Sequence, residues 1–275
     1  MRIESTYKQN IQDRLEMPIK PKKNIFLQIA LLVAVLFFFF SLYQLNFDYA
    51  RLISGTGAFL ETLTLMVPPD ISQWQHVLAA ALESFQVAVL GTIFGIIIGF
   101  VLAFPAADNI TPHPTVAWLI KGFASLLRAI PTLIWALIFI VAVGLGPFTG
   151  ILAITVGAAG MLVKVFTQSI EEIDYGVIEA LKATGAGWFS IVSQAVIPTV
   201  LTAFLSWCIL RFEADMGEST ILGAVGAGGI GWELTHAMRA YKFDQAFFVA
   251  VVIFLMVFSV ELVSNRLKMR MKNIG

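Results

Sequence analysis

The sequence predicts an all-α membrane protein with six transmembrane helices, on three observations. Of its residues 58% are hydrophobic and 13% charged, where an ordinary soluble domain carries about a quarter charged residues. Uncharged or nearly uncharged runs close to the roughly 20 residues that a spanning helix needs recur between polar breaks. Ten basic residues, Arg2, Lys8, Arg14, Lys20, Lys22, Lys23, Arg266, Lys268, Arg270 and Lys272, gather at the two ends of the chain, which the positive-inside rule places in the cytoplasm.

Residues 1–24 are polar and basic, and read as a cytoplasmic tail rather than a secretory signal, because the apolar run that follows is too long and too rich in Phe. The first span is 25–45, with LLVAVLFFFF at its centre. Residues 46–77 are mixed, with Asp48, Arg51, Glu61 and Pro68-Pro69-Asp70, and are expected outside, partly as an interfacial helix. A five-span core is expected over 78–265. Its first span, about Leu78 to Phe104, carries Gly91, Gly95 and Gly99 on one face, a row that lets another backbone approach closely. Pro105 to Pro114 is a turn, Thr115 to Leu127 an amphipathic piece, and a short third span from Pro131 to Val143 is expected to begin at a kink at the proline. The fourth span is Ile151 to Ile170, the fifth Ile191 to Leu210 and the sixth Gln245 to Val263, with 266–275 a second cytoplasmic tail.

Several function classes are excluded by composition. Net charge is zero, which suggests no nucleic-acid partner. Cys208 is the only cysteine, so no intramolecular disulfide and no cysteine metal site forms, and His76, His113 and His236 fit no zinc spacing. No GxxxxGK[ST] is present, so ATP must be bound by another chain. No acid, base, nucleophile or metal set gathers at membrane depth, so the chain is not expected to be an enzyme and no catalytic residue is named. Gly226-Ala-Gly228-Gly229-Ile-Gly231 matches GxGxxG, yet it stands between membrane spans and not after a buried strand, which removes the dinucleotide reading.

The stretch Glu179 to Pro198, EALKATGAGWFSIVSQAVIP, is a polar, helix-prone insert between two spans and must sit at a membrane face. Glu179-Ala180 is expected to open a short helix, Gly185 follows six residues after Glu179, and Pro198 thirteen after Gly185. This spacing resembles the EAA loop of ABC-importer permeases, with two departures: Leu181 replaces the second Ala, and Ala195 stands where Ile is usual. Counting crossings from an inside N-terminus puts this loop, within 171–190, in the cytoplasm. By resemblance Glu179, Ala180, Leu181, Gly185 and Pro198 belong to a coupling helix that inserts into a separate ATPase. The segments ESTILGAVGAGGIG (Glu218 to Gly231), RAIPTLIWALIF (Arg128 to Phe139) and GLGPFTGILA (Gly144 to Ala153) are similar to the permeases of phosphonate and phosphite ABC importers.

The resemblance implies the type I importer permease fold in a bacterial inner membrane, with both termini cytoplasmic. It implies as partners a second copy of this chain, two ATPase subunits holding ATP and Mg²⁺, and an extracytoplasmic binding protein. The cargo it implies is phosphonate, phosphite or a related phosphorus oxyanion. Another small solute is the alternative, and a secondary transporter a weaker one, since no internal repeat is visible. For the translocation path the expectation falls on Arg128, Pro131, Arg211, Glu213, Gly226, Gly228 and Gly229. A guanidinium suits an oxyanion, and glycine backbone bends freely where it lines a water-filled path. Arg211 and Glu213 are expected at the outer end of the fifth span, able to pair with each other, and Arg128 and Lys164 are also candidates for snorkelling to the interface.

Overall fold

The computed structural model describes residues 25–45 and 48–272; the expected N-terminal tail, 1–24, lies outside the described residues. Contacts divide the chain into two units, residues 1–60 and 61–275. In the first, α1 (Ile25–Gln44) carries no charge and buries none of its side chains, as a helix surrounded by lipid would. Asp48 then accepts a hydrogen bond from the Arg51 backbone N–H at 3.0 Å and so caps α2 (Tyr49–Leu65), which runs on across the division.

In the second unit α3 (Trp74–Ala106) and α6 (Pro147–Glu171) form the centre. The glycine row of α3 is the reason they lie so close: a Cβ on Gly91, Gly95 or Gly99 would stand 2.6, 2.4 or 2.7 Å from Ile154, Ala158 or Leu162. These three partners are themselves spaced by four, so one ridge of α6 fills one glycine groove of α3. Between the two helices α4 (Pro114–Ala129) and α5 (Thr132–Val143) are bent by 88° at Ile130-Pro131. Pro131 lacks an amide hydrogen and disfavours helical backbone at Ile130, so one helix ends and another begins there. The kink expected in the third span is therefore a nearly perpendicular break. Five helices among the described residues are long and apolar enough to cross a membrane, and six spans result when this bent pair is counted as one.

After α7 (Tyr175–Ala183), α8 (Trp188–Ile191) passes through a π turn at Val192–Val196 into α9 (Ile197–Leu222). Pro198 explains the π turn, because its ring displaces the carbonyl four residues back and supplies no N–H to it. A second π turn at Gly223–Ala227 is broken by Gly226, whose φ of 115° is open to glycine, and α10 (Ile230–Arg239) and α11 (Phe243–Lys272) follow.

Two boundaries differ from expectation. The helix of the fifth span runs past Leu210 to Leu222, and the polar residues after Leu210 are paired within the bundle. The helix of the sixth span likewise runs past Val263: α11 continues through the basic stretch to Lys272, and Lys268 Nζ reaches Glu213 Oε2 at 2.7 Å.

Candidate functional site

The loop between α6 and α8 holds the first candidate site. Asp174 accepts from the Gly176 backbone N–H at 2.9 Å and starts α7, so the helix opens at Tyr175 and not, as expected, at Glu179-Ala180. Ile178 is wholly buried and Leu181 partly so, three residues apart on one face, while Tyr175, Glu179, Ala180 and Lys182 remain exposed. Burial of one isoleucine contributes about 1.5–3 kcal/mol, enough to pin a helix of this length. Glu179 makes no hydrogen bond or ion pair with a described residue.

Gly185 closes α7. Its N–H donates to the Lys182 carbonyl at 3.0 Å and the Ala186 N–H to the Leu181 carbonyl at 3.3 Å, with Gly185 at φ 77°: a Schellman ending. The interval between Glu179 and Gly185 is thus the length of the helix after the exposed acid. Farther on, the Trp188 indole N–H donates to the Ile110 carbonyl at 2.7 Å, and Lys121 Nζ bridges Asp108 and Glu171 at 2.7 Å each. These contacts, with buried Ile178, tie α7 to the same end of α3, α4, α6 and α8. Replacing Gly185 by Ala places a Cβ in the left-handed region at a cost of about 1–2 kcal/mol; a lower thermal midpoint of the detergent-purified subunit, with Asn at this position milder than Ala, is the expected readout.

The second candidate site lies within the bundle. Arg211, Asp215 and Glu218 stand at i, i+4 and i+7 of α9 and share one stripe. Arg211 Nη2 pairs with Asp215 Oδ1 and, at 3.0 Å, with Glu218 Oε2; the Thr92 hydroxyl donates to Asp215 Oδ2 at 2.7 Å. Thr92 is near the middle of α3, so the cluster sits far from either end of that long apolar helix; a lone charge at the centre of a spanning helix costs at least about 2.5–3.5 kcal/mol. Arg211 and Glu213 do not pair with each other. Two residues apart on a helix, they point to different sides, and Glu213 turns to Lys268 of α11. Arg128 is exposed; its Cγ would meet a Cβ on Gly160 at 3.2 Å, which brings it against α6. Pro131 is exposed at the α4–α5 break. For Asp215 and Glu218 the three-and-four spacing from Arg211 was the available signal; Thr92, on α3, meets Asp215 across 123 residues of sequence and carried none.

The glycine connector is the third. Gly226, Gly228 and Gly229 all have positive φ, and the Gly229 N–H donates to Glu83 Oε1 at 3.1 Å while the Ile230 N–H donates to Ser84 Oγ at 2.9 Å. Gly226 is buried under Leu145, and Gly228 lies against Glu83 and Pro147. The connector therefore closes onto α3 through two side chains, Glu83 and Ser84, that sequence reading did not single out. No strand precedes it among the described residues.

Near the start of α3, Asp70 accepts from Gln245 Nε2 at 2.9 Å and from the N–H and hydroxyl of Ser72 at 2.9 and 3.0 Å. These bonds, that from Gln245 first, hold the carboxyl below its ordinary 3.8. A depressed folded value gives a contact fully present above that pH and lost as pH falls through the lower one. The α3–α11 tie at this end is thus insensitive to pH above about 4.

A family model described as the binding-protein-dependent transport system inner membrane component matches residues 91–273. The phosphate-import permease protein PhnE of Mycolicibacterium smegmatis is 35% identical over 209 residues, 76% of this chain, which spans only 39% of that relative's length. The phosphite transport system permease protein PtxC of Stutzerimonas stutzeri is 33% identical over 225 residues, 82% of each chain. A chain from an inward-facing form of the MetNI methionine ABC transporter shares the fold, with a TM-score of 0.62 at 24% identity over 74% of this chain and 98% of that one. The family match runs over 91–273, most of the bundle, and the MetNI likeness gives the fold: the chain belongs to the family of binding-protein-dependent transport system inner membrane components, with the fold of type I ABC importer permeases.

Proposed function

We propose that this chain is the translocating subunit of an ATP-driven importer of phosphonate, phosphite or a related phosphorus oxyanion. The observation that carries the coupling role is α7: Ile178 holds it to the bundle while Glu179 and Ala180 face outward with no described partner. The substrate class is supported by the relatives, whose names specify phosphate and phosphite. Two copies form the path, and two separate ATPase subunits carry ATP and Mg²⁺ and receive α7. An extracytoplasmic binding protein delivers the ligand, and the chain itself catalyses no reaction. The membrane is the bacterial inner membrane, with both termini and α7 on the cytoplasmic side and 46–77 outside.

In this scheme closure of the ATPase pair on ATP draws the two α7 helices together. Because Ile178, Trp188 and the Lys121 bridges tie α7 to the ends of α3, α4, α6 and α8, that motion passes to the spans as a rigid rotation, giving alternating access. The test is purification of the complex followed by uptake of phosphonate, phosphite and phosphate into vesicles loaded with ATP. ATPase copurification and ATP-dependent uptake of at least one of the three are expected; copurification with uptake of none would discard the substrate class, and absence of an ATPase would discard the importer.

A further inference from the structure

We propose that Glu218 is a displaceable counter-ion on Arg211, and that the transported oxyanion takes its place there as it passes. The inference rests on the substrate class proposed above. Arg211 is 7% exposed and Asp215 not at all. Asp215 is fixed from two sides, by Arg211 and by the Thr92 hydroxyl. Glu218 differs: its side chain is 31% exposed, and with Thr132, Leu133, Ile221 and Leu222 it lines a cavity of about 170 Å³ that Arg211 does not line. Glu218 therefore stands between that space and the guanidinium.

The guanidinium is also under-used. Nη2 serves both carboxylates, Nη1 faces only the Met161 sulfur at 3.8 Å, and the Nε hydrogen has no acceptor. A buried donor without an acceptor is uncommon in a finished site. An oxyanion, with several acceptor oxygens, matches the guanidinium fork in a way that a single glutamate oxygen does not. Thr132 Oγ1 and Arg211 Nη2 both overlie Gly157, where a Cβ would meet them at 2.8 and 3.4 Å, so the hydroxyl stands ready as a further donor at the same place.

With all three groups charged, one cation faces two anions, and the cluster repels an anion as long as Glu218 stays in place. That arrangement gives passage without trapping. The anion gains Arg211 only by displacing Glu218, and Glu218 returning expels it. The Arg211–Asp215 pair remains intact throughout, and Asp215 holds α9 to α3 through the Thr92 hydroxyl.

The purified complex, without its binding protein, is titrated with phosphonate, phosphite and phosphate. Glu218→Gln keeps the side-chain shape and removes the competing charge; its affinity for the transported anion is expected to rise about tenfold over wild type, with slower uptake by the complete system. Glu218→Asp, too short to reach Nη2, is expected to show a smaller gain in the same direction. The gain must vanish in the Arg211→Gln, Glu218→Gln double variant. Wild-type affinity in both single variants, or a gain that survives loss of Arg211, would overturn the proposal while wild-type uptake left the substrate class standing. Absence of uptake of all three anions by the wild-type system would overturn both.

Discussion

Replacing Glu179 by Lys is expected to abolish ATP-driven uptake while leaving the subunit folded in the membrane. The separation of the two effects follows from where the side chain points. Glu179 is exposed on α7 and bonds to no described residue, whereas Ile178 beside it is wholly buried. Reversal of charge at 179 thus costs the bundle little, since an exposed substitution away from special features stays within about 0.5 kcal/mol. In a docked complex the same change removes one partner of a desolvated contact and adds a like charge, at a cost of about 2–5 kcal/mol. Copurified ATPase should fall at least about thirtyfold on that estimate, or remain attached with hydrolysis no longer linked to uptake. Ile178→Asn gives the complementary pattern: the outward face is unchanged, but a buried polar group loosens α7 from its seat, so docking and the local fold fail together. Wild-type uptake in the Glu179 variant would remove α7 from the coupling role.

The largest effect on the fold is expected from Gly231→Ala. A Cβ at this position would lie 1.8 Å from the Thr220 carbonyl oxygen and 2.9 Å from the Ala224 nitrogen. Both are backbone atoms, so no rotamer change relieves the clash; α9 and α10 must separate at their corner. Overpacking of a close interface costs about 1–3 kcal/mol even when side chains can adjust, and here the shift would also disturb the Gly229 and Ile230 bonds to Glu83 and Ser84. A clear drop in the thermal midpoint of the detergent-purified subunit, or loss of folded protein from the membrane, is the expected result. Gly122→Ala is the comparison: nothing lies within 4 Å of its Cβ position, so an unchanged midpoint is expected there. Equal behaviour of the two variants would contradict the packing described for the α9–α10 corner.

What could be read from sequence, and what could not, follows from the reach of each signal. The Gly91, Gly95, Gly99 row is a property of one helix, and its role as a packing face was legible because only close backbone contact uses such a row. α7 was legible through a spacing that resembles the EAA loop, though its start at Tyr175 was not, because the Asp174 cap lies ahead of that spacing; the structure supplies the reason for the glycine: the Schellman ending at Gly185 fixes the helix length after Glu179. Arg211 was seen but its company was not. Read as a string, the polar residues after Leu210 suggested that a span had ended. Read as a helix, Arg211, Asp215 and Glu218 fall on one stripe, so their charges are met inside the bundle and the helix continues. Lys268 looked like part of a basic tail for the same reason, and its contact with Glu213 joins residues far apart in the chain that no local pattern connects. The glycine connector was recognised as bent backbone, but its latch on Glu83 and Ser84 spans 146 residues of sequence for each bond.

The central claim is that α7 is the handle by which a nucleotide-driven partner moves the spans. The direct measurement is crosslinking from a single cysteine at position 183, exposed on α7 and outside the coupling residues, in a Cys208→Ala background, within the intact complex in sealed membranes. The account predicts an ATP-sensitive crosslink to the ATPase subunit and no reaction with a membrane-impermeant thiol reagent added outside. Labelling from the outside, or no crosslink to any partner while the complex still transports, would contradict it.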